Sequence, residues 1–178
     1  MNRFASASRR EWLKQKHKLG TNSAWWLAER AEGKSDAEES PEKYMEAARE
    51  HVEAQFAGKK ETLRPIYETL LQRAAVLGAD VKACPCRTMV PLYRNHVFAQ
   101  LKATTNTRLD LGLALTHYEG KLPKRLVDTG GLAKKDRITH RIELQSLHQI
   151  DAGVEKWLKI AYDLDAGQKR SSKPAKFI

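Results

Sequence analysis

The fold follows from one segment, FAQLKATTNTRLDLGLAL, at residues 98–115. In its second half leucine occupies every other position, which gives the segment one apolar face: Leu109, Leu111, Leu113 and Leu115. A period of two is typical of a half-buried β-strand. The tripeptide Thr105-Asn106-Thr107 in the middle predicts a tight turn. The segment therefore predicts a β-hairpin with strands at residues 97–104 and 108–115.

Two further strands are predicted on either side of this hairpin, at residues 81–88 and 138–145. In the second of these, four alternating residues share one face: Ile138, His140, Ile142 and Leu144. The chain between the hairpin and this last strand, residues 118–137, predicts a long basic loop. The sequence thus indicates about four antiparallel strands in one sheet.

Helical periodicity flanks the strands. Ser40-Pro41-Glu42 is a helix start, and the helix that follows is expected to end near Gly58. A second helix has an apolar stripe at Ile66, Leu70, Ala74 and Leu77, and we expect Gly78 to close it with a left-handed backbone. A last helix begins at Ala152 after the capping residue Asp151 and ends at about Leu164, with a stripe at Val154, Trp157, Leu158, Ala161 and Tyr162. Helices, then an antiparallel sheet, then a helix predict an α+β fold in two layers.

The chain divides by composition into four parts. Residues 1–31 predict a helical hairpin, with a first helix around Trp12 and a second around Trp25 and Trp26. Residues 32–62 predict an acidic linker and helix, and residues 63–164 the two-layer α+β domain. Residues 165–178 form a basic tail that we expect to be disordered.

Charge and composition limit the class of protein. The chain has 32 Lys and Arg against 22 Asp and Glu, which gives a formal net charge of +10. This excess suggests attraction to polyanions such as nucleic acid, and a solvated basic surface is the favoured interpretation. No apolar run approaches the roughly 20 residues of a membrane-spanning helix, and we expect neither a secretory signal nor a membrane partner. Two cysteines cannot build a disulfide framework, which favours a reducing cytoplasm.

Several local strings resemble an uncharacterised bacterial family. They are LRPIYETLLQRAAVLGADV, FAQLKATTNTRLDLGLAL, HRIELQS and VEKWLKIAY, and the resemblance covers about residues 63–164. The C-terminal domain of that family is described as a domain of unknown function, with the label "predicted transport protein". The string WLKQKHKLGTNSAWWLAERA is similar to the end of a second module of unknown function, which is shortened here. The resemblance implies a bacterial cytoplasmic protein and supplies no catalytic residues.

Short motifs in the chain do not form a catalytic or metal-binding pattern. Cys84-Pro85-Cys86 lacks the second ligand pair of a zinc site, and buried or half-buried strand cysteines are the favoured interpretation. Asp128-Thr129-Gly130 matches only three residues of the aspartic protease motif, and we interpret it as a glycine-rich turn. The six histidines show no metal-ligand spacing. We therefore predict no catalytic residue, no metal and no cofactor.

The leading hypothesis is a non-enzymatic binding or interaction module that uses the sheet face or the basic loop. A candidate anion or nucleic-acid contact comprises six basic residues of this loop: Lys121, Lys124, Arg125, Lys134, Lys135 and Arg137. Trp25 and Trp26 are candidates for stacking on a base. Two alternatives stay open: a nucleic-acid-associated accessory protein that uses the basic termini and loop, and an enzyme with a sheet-lined pocket.

Overall fold

The computed structural model describes residues 11–17, 28 and 41–167. The chain forms two compact units, Met1–Ala47 with Ser171–Ile178, and Ala48–Arg170. In the first unit residues 11–17 are helical, as the sequence predicts. Trp25, Trp26 and the tail beyond residue 167 lie outside the described residues. None of the helices in the described parts is long and apolar enough to cross a membrane.

Three long helices follow the predicted positions. They are α1 at Pro41–Gln55, α2 at Arg64–Ala75 and α3 at Ala152–Ala166. Short 3-10 helices at Gly58–Leu63 and Leu147–Gln149 precede α2 and α3. Asp151 caps α3 as expected, because its Oδ1 accepts the Val154 N–H at 3.0 Å. The predicted stripe of α3 is buried, as are Ile66, Leu70 and Ala74 of α2, which confirms the helical periodicity. Leu77 is half-buried and lies beyond the end of α2.

The sheet has six antiparallel strands in the order β1-β2-β3-β4-β6-β5. The strands are β1 at Lys82–Ala83, β2 at Val90–Tyr93, β3 at Val97–Ala103, β4 at Leu109–Leu113, β5 at Val127–Asp128 and β6 at His140–Leu144. The β3–β4 hairpin is confirmed, with Leu101 opposite Leu111. Helices and an antiparallel sheet make this an α+β fold, as predicted.

Two details of the predicted sheet are wrong. The segment predicted as a single strand, residues 81–88, contains only the first strand and the turn of a hairpin. The chain turns where the Cys86 N–H donates to Met89 O at 2.9 Å. The returning limb is β2, which contains Pro91 and for that reason does not look like a strand in the sequence. The basic loop also contains a short strand, β5, which pairs Val127 with Arg141 of β6. The sheet therefore has six strands rather than about four.

One face of the sheet carries the core. Leu109, Leu111 and Leu113 are fully buried, and they lie opposite Leu144, Ile142 and His140 of β6. Helix α3 packs on β3 and β4 and against α2. Full burial of each leucine stabilises the fold by about 1.5–3 kcal/mol relative to exposure. The face is fixed, since a one-residue slip would turn all three leucines outward.

The prediction that Ile138 shares a face with His140, Ile142 and Leu144 is wrong. The Ile138 Cγ2 lies 2.7 Å from the position that a Cβ on Gly112 would take, and Gly112 belongs to the opposite face of the sheet. The alternation fails because the regular pairing of β6 begins only at His140. Ile138 and Thr139 lie before that strand. The Leu115 N–H donates to the Thr139 side chain at 3.2 Å instead of to a backbone oxygen.

A buried carboxylate fixes the end of α3, and the sequence pattern did not indicate it. Asp165 is 1% exposed, and its Oδ2 accepts the N–H groups of Asn95 at 2.7 Å and of His96 at 3.0 Å. Its Oδ1 accepts from Arg137 at 2.7 Å. These bonds join α3 to the β2–β3 turn and to the chain that leads into β6. A buried charge of this kind is stable only because it is fully hydrogen-bonded.

Gly78 is required for space and not for a left-handed backbone. Helix α2 ends with Val76 in the right-handed region, and the positive-φ glycines among the described residues are Gly58 and Gly130. A Cβ on Gly78 would overlap the Tyr162 hydroxyl and lie 2.6 Å from Asp80 Oδ1. Tyr162 in turn donates to that oxygen at 2.6 Å. The close approach of residue 78 to α3 explains the glycine.

We predict that Gly78→Ala lowers the free energy of unfolding by about 1–3 kcal/mol, because the added methyl must displace the Tyr162–Asp80 pair. Gly167→Ala is the matched control, since its Cβ would meet only Leu164 O at 3.8 Å. Its effect should stay within about 0.5 kcal/mol. Urea unfolding measures both, and equal effects would contradict the packing argument.

Candidate functional site: a cationic cleft at one end of the sheet

Four elements meet around a cavity of about 530 Å³ at one end of the sheet. They are the end of α1, the 3-10 helix after it, the turn between β1 and β2, and the β3–β4 hairpin. The residues that line the cavity are Ala54, Gln55, Ala57, Lys60, Arg87, Thr88, Lys102, Ala103, Thr104 and Asn106. We call this cavity the cationic cleft. Its volume lies within the range of small-molecule sites, about 300–1,000 Å³.

Gln55 connects the end of α1 to the β1–β2 turn in the wall of the cleft. It is 8% exposed, and its Nε2 donates to Cys86 O at 2.6 Å and lies 3.5 Å from Met89 O. These are the two carbonyls of the β1–β2 turn, so α1 fixes the position of that turn. The Oε1 of Gln55 is buried and has no hydrogen-bond donor among the described residues. An unsatisfied buried acceptor costs about 1–3 kcal/mol.

The charge of the cleft comes from Lys60, Arg87 and Lys102, and among the described residues no carboxylate lines it. Lys60 Nζ donates to Ala103 O at 2.6 Å, which holds this ammonium at the end of β3. The side chains of Arg87 and Lys102 make no ion pair within the described chain. Three cations without a counter-charge give the cleft a positive potential that attracts anions.

A second cavity of about 250 Å³ lies beside the cleft on the exposed face of β3, β4 and β6. We call it the polar-face cavity. Its lining residues are Gln100, Lys102, Thr104, Arg108, Asp110, Gly112, Thr129, Ile138 and Arg141. Lys102 and Thr104 line both cavities. The two cavities therefore adjoin along β3.

Apart from Lys102, the charged residues that line the polar-face cavity pair with each other or with the neighbouring Glu143. Asp110 is 9% exposed and its Oδ2 accepts from Thr104 at 2.7 Å. Arg108 Nε lies 2.9 Å from Asp110 Oδ1 without hydrogen-bond geometry, and Arg108 Nη2 donates to Asp110 Oδ2 at 3.5 Å. Arg141 donates to Glu143 at 2.8 Å, and Arg108 lies 3.2 Å from the same oxygen. The hydrogen bond from Arg141, with the added charge of Arg108, lowers the pKa of Glu143 below its usual value despite partial burial.

The six basic residues predicted as a contact surface separate into two groups. Lys121, Lys124, Lys134 and Lys135 are exposed and form no ion pair in the part of the chain that the structure describes. The two arginines form ion pairs with carboxylates of the domain. Arg125 lies 2.6 Å from Asp151 and also donates to Gln149 O, while Arg137 binds Asp165. None of the six lines either cavity.

The other motifs have structural roles at turns. Cys84 is half-buried as expected, but Cys86 is exposed because it begins the β1–β2 turn. Partial burial of the sulfur, with a smaller effect of Cys84, raises the pKa of the Cys86 thiol, which disfavours the reactive thiolate. Asp128 accepts the Gly130 N–H at 2.7 Å, the geometry of a glycine turn. Within the described residues, no three His, Cys, Asp or Glu side chains are grouped to hold a metal.

The cationic residues of the cleft were missed by sequence reasoning. Lys60, Arg87 and Lys102 are far apart in the chain and belong to no motif. Lys102 is predictable as a residue of the polar face, since it alternates with Leu101 and Ala103. Arg87 reaches the cleft only because the chain turns at residues 86–89, which depends on the strand that contains Pro91.

Comparison with known proteins supports the family resemblance and adds no function. A family model described as a domain of unknown function, DUF5655, matches residues 52–165. No curated protein and no solved structure matches the chain. The matched range contains every residue that lines the two cavities.

We predict that Asp110→Asn lowers the free energy of unfolding by about 1–3 kcal/mol, because it removes the more buried of the two carboxylates that pair with the half-buried Arg108. Glu143→Gln is the matched control at a more exposed carboxylate of the same network, and should cost less than about 1 kcal/mol. Urea unfolding at pH 7 compares them. A larger loss for Glu143→Gln would show that Asp110 does not organise the network.

Proposed function

We propose that this chain, a member of the DUF5655 family, is a non-enzymatic binding module that captures a small anionic ligand in the cationic cleft. The observation that carries the proposal is the lining of the cleft, to which the described chain contributes three cationic side chains and no carboxylate. Thr88 and Asn106 add neutral hydrogen-bond donors to the same wall, whereas the Thr104 hydroxyl already donates to Asp110. Such a set of donors suits phosphate or carboxylate oxygens.

The paired charges favour binding over catalysis. A general base needs a pKa near the working pH, whereas the pKa of Glu143 is lowered by Arg141 and Arg108. Asp110 is bound to Thr104 and Arg108 and does not line the cleft. An enzyme that uses the polar-face cavity is the alternative, and turnover of a bound ligand would favour it.

A second proposal is nucleic-acid binding by the basic loop at residues 118–137. The observation in its favour is that Lys121, Lys124, Lys134 and Lys135 are exposed and unpaired within the described chain. Ammonium groups of this kind neutralise phosphates without any sequence motif. We propose the bacterial cytoplasm as the compartment for either function. The free thiols of Cys84 and Cys86 are consistent with a reducing environment.

We predict that pyrophosphate binds the full chain at low ionic strength, and that Arg87→Ala and Lys102→Ala each weaken binding by about tenfold or more, because each removes an unpaired charge from the cleft. Isothermal titration calorimetry measures the affinity. Lys121→Ala and Lys134→Ala are controls outside the cleft and should change it by less than about twofold. Loss of binding in the loop variants alone would overturn the cleft proposal.

The nucleic-acid proposal predicts a steep dependence on salt. Four lysines that each neutralise one phosphate give a log–log slope of about −4 for duplex DNA. Replacing Lys121, Lys124, Lys134 and Lys135 together by alanine should flatten this slope, as measured by fluorescence anisotropy from low to moderate salt. No detectable DNA binding at low salt, or a slope unchanged by the four substitutions, would refute a DNA surface on the loop.

A further inference from the structure

We infer that the cationic cleft and the polar-face cavity form one elongated site for a ligand that carries two separate anionic groups, such as a small bisphosphate. The first group binds in the cleft, and the second binds the guanidinium groups of Arg108 and Arg141 in the polar-face cavity. This inference rests on the proposed anion-binding function. It goes beyond that function by naming the chemical class of the ligand and the residues that bind its second anionic group.

The two cavities follow one line along β3. Lys102 and Thr104 line both of them, and Gln100 lines only the polar-face cavity. Alternate residues of a strand share a face and are about 7 Å apart. The register places Arg141 in the same row as Gln100, two strands away across Gly112. Because neighbouring strands lie about 4.8 Å apart, the Cα atoms of Lys102 and Arg141 are about 12 Å apart.

The joined surface has an excess of positive charge. Arg108 and Arg141 add two guanidinium groups to the three cations of the cleft, and among the described residues Asp110 is the one carboxylate that lines either cavity. The neighbouring Glu143 supplies a second negative charge to the network. Five cations against two carboxylates leave a net charge of +3, which favours a ligand with more than one negative group.

The two arginines are more accessible than the carboxylate that they share. The Asp110 side chain is 12% exposed, compared with 24% for Arg108 and 30% for Arg141. Arg141 donates to Glu143 Oε1 from Nε and Nη2, and its Nη1 makes no hydrogen bond within the described chain. The bond from Arg108 to Asp110 Oδ2 is long, at 3.5 Å. Each guanidinium has five N–H groups, so donors remain for a second anion while the carboxylates stay in place.

The lining favours a small ligand over a nucleic-acid strand. No aromatic side chain of the described chain lines either cavity, which removes the stacking that binds single-stranded bases. Apart from Ile138, the apolar side chains that line the two cavities are alanines. A short linker between two phosphates suits this lining, since it needs no large apolar wall.

Two probes with one carbon skeleton test the inference on the full chain. Butane-1,4-diyl bisphosphate and butyl phosphate differ in the second phosphate, and at pH 8 both are fully ionised because the second pKa of a phosphate monoester is about 6. Calorimetry at low salt should show that the bisphosphate binds about tenfold more tightly. Arg141→Gln removes a guanidinium from the second position. It should lower this ratio by about threefold or more and leave the butyl phosphate affinity within about twofold.

Glu143→Gln has the opposite expected sign. It removes the carboxylate that competes with the ligand for Arg141, so the bisphosphate should bind about twofold to fivefold more tightly while butyl phosphate is little changed. This variant tests the inference even if Arg141→Gln does not fold. Arg73→Gln and Glu155→Gln are the matched controls, because these residues form an exposed ion pair that lines neither cavity. Both affinities should stay within about twofold in the controls.

The failures are distinguishable. Absence of binding by pyrophosphate and by both butane probes overturns the proposed function together with the inference. Binding of pyrophosphate without a preference for the bisphosphate over butyl phosphate overturns the inference alone. The same conclusion follows if the preference is unchanged in Arg141→Gln, if Glu143→Gln weakens the bisphosphate, or if Arg73→Gln lowers the ratio as much as Arg141→Gln does.

Discussion

The alternation of leucine with polar residues in β4 controls the rest of the structure. Leu109, Leu111 and Leu113 have no exposed surface, and their burial under α3 fixes which face of the sheet is covered. The residues between them, Asp110 and Gly112, must then point to the other face of the sheet. The same alternation in β3 puts Lys102 on that face, directly opposite Asp110 in the register. One hydrophobic constraint therefore creates both the core and the charged surface.

Most charged side chains on that surface pair with each other, and the cations at one end do not. Asp110 takes Thr104 and Arg108 as partners, and Glu143 takes Arg141. Lys102 is the cross-strand neighbour of Asp110 but is left without an ion pair in the described chain. It lines both cavities, including the cleft that Lys60 and Arg87 also line. The paired network and the unpaired cations thus occupy adjoining cavities, and this difference favours the cleft as the place where an anion binds.

Much of the fold could be predicted from periodicity, because a single buried face determines it. Residues close in sequence determine the stripes of α2 and α3, the Asp151 cap and the β3–β4 hairpin. The β1–β2 hairpin could not be predicted, since Pro91 makes β2 look unlike a strand. The residue that stabilises its turn, Gln55, lies 31 residues before Cys86 in the sequence. The burial of Asp165 has the same origin, because its partners Asn95 and His96 lie about 70 residues away.

The candidate site was less predictable than the fold for the same physical reason. Local charge clusters in the sequence indicated the loop at residues 118–137, but Arg125 and Arg137 of that loop are bound to Asp151 and Asp165. The cleft collects single cations from three separate segments, so it has no signature in any one of them. Its position depends on how the two hairpins and the end of α1 meet, which only the folded chain shows.

The most direct test of this account is a map of where an anion binds on the intact chain. In ¹⁵N–¹H NMR spectra recorded during titration with pyrophosphate at low salt, backbone amide shifts report the site residue by residue. The account predicts that the largest shifts fall at residues 54–60, 86–88 and 102–106, with residues 121–137 nearly unchanged. Shifts confined to residues 121–137, or no shifts at the end of the sheet, would contradict it.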